Sequence, residues 1–573
     1  MTKFLTLFLL CSMCNGIWAG ERSLSQKQEA AASVLNKVLT RNSVQEIVPL
    51  QNMDQLTVMG YENDDGFAVI ANDDKVAPIL GYCYTTFDTN KMPDGLKWWL
   101  QSMDDALETR ASQTEPINIQ KIIQENGFAQ SVPALTTANW GQEFPFNQAC
   151  PISPVTGTPC LTGCIATAMG EIMQYYKWPE QGTGSYSYEW TSRENKQTVT
   201  LSVNYGSTSY NWNLMPDNYD YPSEEQIAAV SQLMYHCGVA ANMGYASDES
   251  GATEKDACLA LYRNFNYSKN MQMRYRDKYN IDDWMLLVMR ELNAGRPLLY
   301  SGSKIGAHAF VVDGYNADGL VHVNWGWTGR YNGMYDITLL NPADKQYSEG
   351  QSMIIGIAPT NEGTVYGCDT ELYVFNSEVK AEIASSNVIS FGSTIRICNG
   401  SLSPIPGTSA ILLEDENGNL HELSTKSTNH EGLAPLSDNF VLSALWIPLP
   451  ENLPDGTYHV YPAFRKEGET EWIRPRYDTN KNNECLLTKR GDELSVESIR
   501  TYISLNEKGS ETALSPTVIT EEPFDGDVYV YDLYGRCIYS APAATFDTKN
   551  IPGRGIYLIK RGNRTEKIWK TEK

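Results

Sequence analysis

Positive charge is in short supply: against 69 Asp and Glu, the 573-residue chain sets only 45 Lys and Arg, for a formal net charge of -24. A surface that anionic repels a phosphate backbone or an acidic lipid headgroup, so nucleic acid is excluded as a partner. Long hydrophobic runs are missing too. The apolar stretch from Phe4 to about Met13 falls short of the roughly 18–20 residues that span a bilayer, and no later window approaches that length, so no transmembrane helix is expected. Histidine is rare, six in all, and the twelve cysteines are scattered. Cys160-x-x-x-Cys164 has no second pair at finger spacing, so neither a metal nor another cofactor is expected. Low-complexity tracts and solenoid repeats are also absent.

What is present has a clear order. Lys3, the short apolar run and the small residues Gly16 and Ala19 read as a secretory signal over residues 1–19, which places the protein outside the cell or on its surface and removes Cys11 and Cys14. Residues 20–131 read as a small α+β module: a helical KQEAAASVLNKVL, then strand-like DQLTVMGY and GFAVIANDDKVAPILGYCY split by Asn/Asp turns. Residues 132–359 begin with helices at 164–177 and 224–238 and pass into a Gly-punctuated strand series from Leu298 to Ile355, a helix-first α+β layout. Short alternating runs between Gly, Asn and Pro turns suggest an immunoglobulin-like β-sandwich over 360–492, and VYVYDLYGRCIYS with GIYLIKRGNRTEKIWK suggests a further small β unit over 493–573.

Chemistry concentrates in the second module. In CIATAMGEIMQYYKW the apolar positions Ile165, Ala168, Met169, Ile172, Met173 and Tyr176 repeat at helical spacing, which puts Cys164 at a helix N-terminus. There the unpaired N–H groups favour a thiolate, and the thiolate is the nucleophile. A base lies 144 residues on: His308, with the small Gly306 and Ala307 before it and Phe310, Val311 and Val312 behind. His322 alternates with Val321 and Val323 and reads as structural, and His236 falls in a helical pattern and reads as core. Asn324 is placed to accept from the second imidazole nitrogen, with Trp325 and Trp327 shielding that bond. For an oxyanion, the candidates are the Cys164 N–H and the carboxamide of Gln142, 22 residues upstream in NWGQ.

Together NWGQEFPFNQACP, TGCIATAMGEIMQYYKWP, GAHAFVVDGYN and HVNWGWTGRYNGMYDIT resemble the streptopain family of papain-like cysteine peptidases, of the Bacteroidetes type. The resemblance implies a secreted cysteine endopeptidase made as a zymogen, with Cys164 as nucleophile, His308 as base and Gln142 as oxyanion donor. It leaves open whether Asn324 or the Trp325 region orients His308. GFAVIANDDKVAPILGYCY resembles the family's inhibitory prodomain, so the chain's own residues 20–131 become a partner beside protein or peptide substrates. The last β unit resembles the sorting domain of type IX secretion cargo, which implies export machinery as a partner. Cys150 and Cys160 are at most a structural pair. The competing readings are a cell-wall amidase with the same chemistry and a surface adhesin that keeps the fold as a scaffold.

Overall fold

Helices form where the sequence offers a cap followed by an apolar stripe. Ser23 opens α1 (Leu24–Leu35) and Ser223 opens α5 (Glu224–Ala240), each in a capping box closed by the glutamine three residues on. A computed structural model describes residues 20–36, 46–62, 64–110, 117–303, 307–338, 351–360, 371–375, 378–392, 394–442, 446–505, 527–531, 537–542, 545–546, 550–551, 555–561 and 564–570. The expected signal at 1–19 and Gly306 lie outside them. The chain divides into two compact units, residues 1–514 and 515–573.

In the first unit the other helices are α2 (Asp94–Arg110), α3 (Ile119–Asn126), α4 (Cys164–Tyr176), α6 (Glu254–Asn264) and α7 (Ile281–Asn293). Up to residue 355, twelve strands among the described residues accompany them: β1 (Val48–Asn52), β2 (Leu56–Gly60), β3 (Asp65–Ala71), β4 (Ile79–Thr86), β5 (Ser185–Thr191), β6 (Thr198–Asn204), β7 (Gln272–Tyr275), β8 (Leu298–Ser303), β9 (Ala307–Tyr315), β10 (Val321–Asn324), β11 (Gly333–Tyr335) and β12 (Ser352–Ile355). The sequence outline lacks α2, α3, α6, α7 and the β5–β6 hairpin. Ten of the strands form one sheet in the order β1-β2-β3-β4-β11-β10-β9-β8-β12-β7. The two modules drawn as 20–131 and 132–359 therefore share a sheet, joined where Gly81, Tyr82 and Cys83 of β4 pair with Tyr335, Met334 and Gly333 of β11. Their apolar cores merge as well: Phe67, Trp98 and Trp99 from the N-terminal side cluster with Phe310, Trp325 and Tyr335.

α4 packs the sheet from within. Its residues from Ile165 to Gln174 are all buried, chiefly against β9 and α5. The helix ends where Lys177 takes a left-handed conformation at φ 48° and its N–H donates to the Met173 and Gln174 carbonyls, two residues before Pro179.

Beyond residue 370 two three-stranded sheets and one five-stranded sheet surround Ile389, Phe391, Ile397, Ile411, Leu413, Val460, Phe464 and Leu487. The boundary drawn at 492/493 is corrected here, because it cuts a hairpin: Glu484–Arg490 pairs with Glu493–Ile499 through a register closed by Arg490 opposite Glu493. This β region is held to the body of the ten-stranded sheet by buried charge. Glu371 lies among Arg274 of β7, Arg476 and Tyr279, whose hydroxyl donates to it at 2.7 Å. The Asp283 carboxylate accepts from the Tyr502 hydroxyl at 2.5 Å and the Leu505 N–H at 3.1 Å. The second unit, by itself, is a four-stranded antiparallel sheet, ordered Cys537–Pro542, Asp527–Tyr531, Gly555–Arg561, Arg564–Lys570.

Removing one member of a buried ion cluster leaves its partners charged and desolvated, which typically costs about 3–5 kcal/mol. Glu371→Ala should therefore lower the chemical-denaturation midpoint of the first unit clearly below that of wild type. An unchanged midpoint would show that the cluster does not hold the β region in place.

Candidate active site

Cys164 is the first residue of α4, and the approach to it is set by Gly163, at φ 86°. A Cβ at Gly163 would lie 2.6 Å from the Met243 sulfur and 2.9 Å from the Ser250 carbonyl, so only glycine fits. Cys164, His308 and Gln142 line one cavity of about 630 Å³. Its other walls are the 248–254 loop, Trp327 and, from the N-terminal module, Asp94, Lys97, Trp98 and Gln101 of α2.

α2 closes the site by contact. A Cβ on Gly95 would sit 2.2 Å from His308 Cδ2 and 2.8 Å from Trp325 Cε3, so the α2 backbone lies directly on the imidazole. One turn on, the Trp98 ring fills the space a side chain at Gly302 would need, opposite His308 on β8. His308 is consequently buried, at 5% exposure. Its Nε2 lies 3.3 Å from the Trp325 carbonyl. A carbonyl only accepts, so Nε2 carries the proton and Nδ1 is the basic nitrogen.

Asn324 does not orient this ring. Its Nδ2 donates to the Ala138 carbonyl at 2.8 Å and its Oδ1 accepts from the Gly326 N–H at 3.1 Å. The corrected partner of His308 is the neighbouring Trp325 backbone, while the Trp325 ring packs against Phe310 and Tyr335. Gln142 is buried beside the cavity, and its own carbonyl accepts from the Thr162 N–H at 3.1 Å, which fixes its loop to the approach to Cys164.

The electrostatics differ from those of a bare helix end. Burial pushes the Cys164 thiol above its ordinary range, and Glu254 adds to this, while N–H groups of Ala309 and Ile165 pull it partly back. Burial likewise pushes the His308 imidazolium down, against the Trp325 carbonyl and Asp94. The sequence expectation of a lowered thiol is overturned while α2 is in place, because desolvation outweighs the helix terminus.

The other residues singled out fall elsewhere. His322 Nδ1 bonds the fully buried Asp313 at 2.6 Å, and Asp313 also accepts from the Thr136 N–H and hydroxyl. His236 is buried on α5 against the Tyr210 hydroxyl at 3.0 Å, and burial lowers its pKa to about 4. Cys150 and Cys160 are both buried free thiols. Among the described residues no group of three or more His, Cys, Asp or Glu is arranged to hold a metal ion. The α2 residues were not singled out from sequence, although Leu96, Trp99, Met103 and Leu107 stand at helical spacing in DGLKWWLQSMDDAL and would have revealed the helix.

A thiol heading a buried helix, with an imidazole on an adjacent sheet and a glutamine upstream, is the layout of papain-like cysteine peptidases. The chain belongs to the Peptidase C10 family, whose model matches residues 140–335, and residues 21–107 match the family described as Spi protease inhibitor. It is 35% identical over 319 residues to the thiol protease/hemagglutinin PrtT of Porphyromonas gingivalis, covering 52% of this chain but only 36% of that one. Streptopain of Streptococcus pyogenes is 28% identical over 314 residues, 51% of this chain and 78% of its own. A solved fragment of Prevotella intermedia prointerpain A, a Cys-to-Ala mutant, superposes with TM-score 0.50 at 34% identity, over 55% of this chain and all of the fragment.

A raised thiol pKa leaves less thiolate at any given pH. In the full-length chain Cys164 should react with iodoacetamide at pH 7 more slowly than cysteine in an unfolded peptide, with the rate rising as the pH is made alkaline. Peptide mapping after timed alkylation checks this, and a Cys164 that is fully reactive at pH 6 would contradict it.

Proposed function

We propose that the chain is a cysteine endopeptidase made as a zymogen and acting on protein or peptide substrates. The observation that carries the reading is the shared cavity: Cys164, His308 and Gln142 face one space that α2 of the chain's own N-terminal module helps to wall. Once α2 has left, Nδ1 of His308 takes the proton from the Cys164 sulfur, which attacks the scissile carbonyl carbon. The oxyanion is received by the Cys164 N–H and the Gln142 carboxamide. The imidazolium then gives its proton to the leaving amine, and water, deprotonated by the same nitrogen, hydrolyses the thioester. The Trp325 carbonyl holds the Nε2 proton throughout and keeps the tautomer.

Residues 20–131 act as the inhibitory prodomain. The join to the peptidase, between Glu125 and Leu135, is largely exposed at Gly127 and from Ala129 to Ser131, where a protease can reach it. Residues 1–19 direct secretion to the medium or the cell surface, and the final β unit engages export machinery. No helix among the described residues is long and apolar enough to cross a membrane.

Cys164→Ala should abolish casein hydrolysis and leave the precursor uncut, since acyl transfer needs the sulfur itself. His308→Ala should lose comparably and His322→Ala far less. Retained turnover in Cys164→Ala ends the reading, and equal losses at the two histidines would reassign the base. Gln142→Ala should lower kcat by roughly 10²-fold with little change in KM, as an oxyanion donor acts in the transition state. A change confined to KM would place Gln142 in substrate binding. Gly95→Leu, which cannot sit on the imidazole, should let the uncut precursor hydrolyse substrate; continued silence before cleavage would mean that α2 does not enforce latency.

A further inference from the structure

We propose that Glu171, a buried carboxyl on α4, is a positioning residue that ties together the three segments delivering Cys164, Gln142 and the Trp325 carbonyl. The inference rests on the peptidase reading above. Glu171 is 0% exposed and lies two turns along the helix from Cys164, about 10 Å away. Its Oε1 accepts from the Trp140 N–H at 3.3 Å, two residues before Gln142. The Asn324 carboxamide faces the same carboxyl, one residue before Trp325, while its own bonds reach the Ala138 carbonyl and the Gly326 N–H. One side chain of the nucleophile's helix therefore meets both the loop of the oxyanion glutamine and the turn whose carbonyl holds His308.

The chemistry of the position favours geometry over stability. Among the described residues no cation pairs with Glu171; the charged group that acts on it is the Asp313 carboxylate, which opposes a second negative charge. Burial is the larger cause and works in the same direction, so the neutral carboxyl is favoured, and its Oε1 is the oxygen that accepts from Trp140. Its Oε2 is buried and meets no hydrogen-bond partner. An apolar residue of this size would cost less to bury than a carboxyl, so what the carboxyl supplies is a fixed relation between neighbouring backbones. A neutral carboxyl and a carboxamide offer the same kinds of bond. Gln should therefore serve where Leu should not.

The test uses the full-length chain, matured, with hydrolysis of a peptide substrate and titration of the Cys164 thiol run on each variant. Glu171→Leu should lower kcat by roughly 10-fold to 10²-fold with KM within about 2-fold, because oxyanion and imidazole groups misplaced by about 1 Å weaken the transition state selectively. The titrated thiol fraction should stay at the wild-type level. Glu171→Gln should restore kcat to within about 3-fold of wild type, as a residue that merely filled space would not require. Glu171→Met, which keeps an unbranched side chain and lacks the acceptor, should show the same loss in kcat, and it carries the test if Glu171→Leu does not fold. Wild-type kcat in Glu171→Leu or Glu171→Met, or a Glu171→Gln enzyme as slow as Glu171→Leu, overturns the proposal alone. A wild-type chain without Cys164-dependent hydrolysis overturns the peptidase reading and this proposal with it.

Discussion

The imidazole of His308 is shut away from water by the backbone of Gly95, and much of the molecule is arranged around that contact. A helix can lie on a ring so closely only if its facing residue has no side chain and if something holds the helix down. The hold comes from the sheet: β4 hydrogen-bonds to β11, which places the N-terminal module in the same sheet as β9, the strand of His308. Trp98 and Trp99 add apolar grip, each buried to within a few per cent, at about 1.5–3 kcal/mol for a large side chain.

From that burial the electrostatics follow. Desolvation keeps the thiol protonated and the imidazole neutral, so the ion pair needed for attack is disfavoured for as long as α2 remains. The backbone anchors of the site are the Trp325 carbonyl on His308, the Gly163 turn before Cys164 and the Gln142 carbonyl on the Thr162 N–H.

Much of this was legible in the sequence, for reasons that differ by residue. Helical spacing after Cys164 located the start of α4, and the glycine before it pointed to a close approach that the left-handed Gly163 bears out. The small residues before His308 and the alternation around His322 separate the cavity-facing ring from the one bonded to Asp313. What local pattern does not carry is pairing between distant segments. Nothing within GFAVIANDDKVAPILGYCY specifies that its last strand meets β11, some 250 residues on, or that DGLKWWL lies across His308. Asn324 shows the same limit at the scale of one side chain: its distance in sequence from His308 suits an orienter, yet its carboxamide is spent on Ala138 and Gly326. In the β region, the turn at 491–492 resembles a module boundary and is instead the tip of a hairpin.

The most direct measurement is a time course on purified full-length chain, following peptide hydrolysis and chain length in the same samples. If contact between α2 and His308 enforces latency, hydrolysis is absent while residues 20–131 remain attached and rises in step with their removal. Full hydrolysis by a chain that still carries α2 would contradict it.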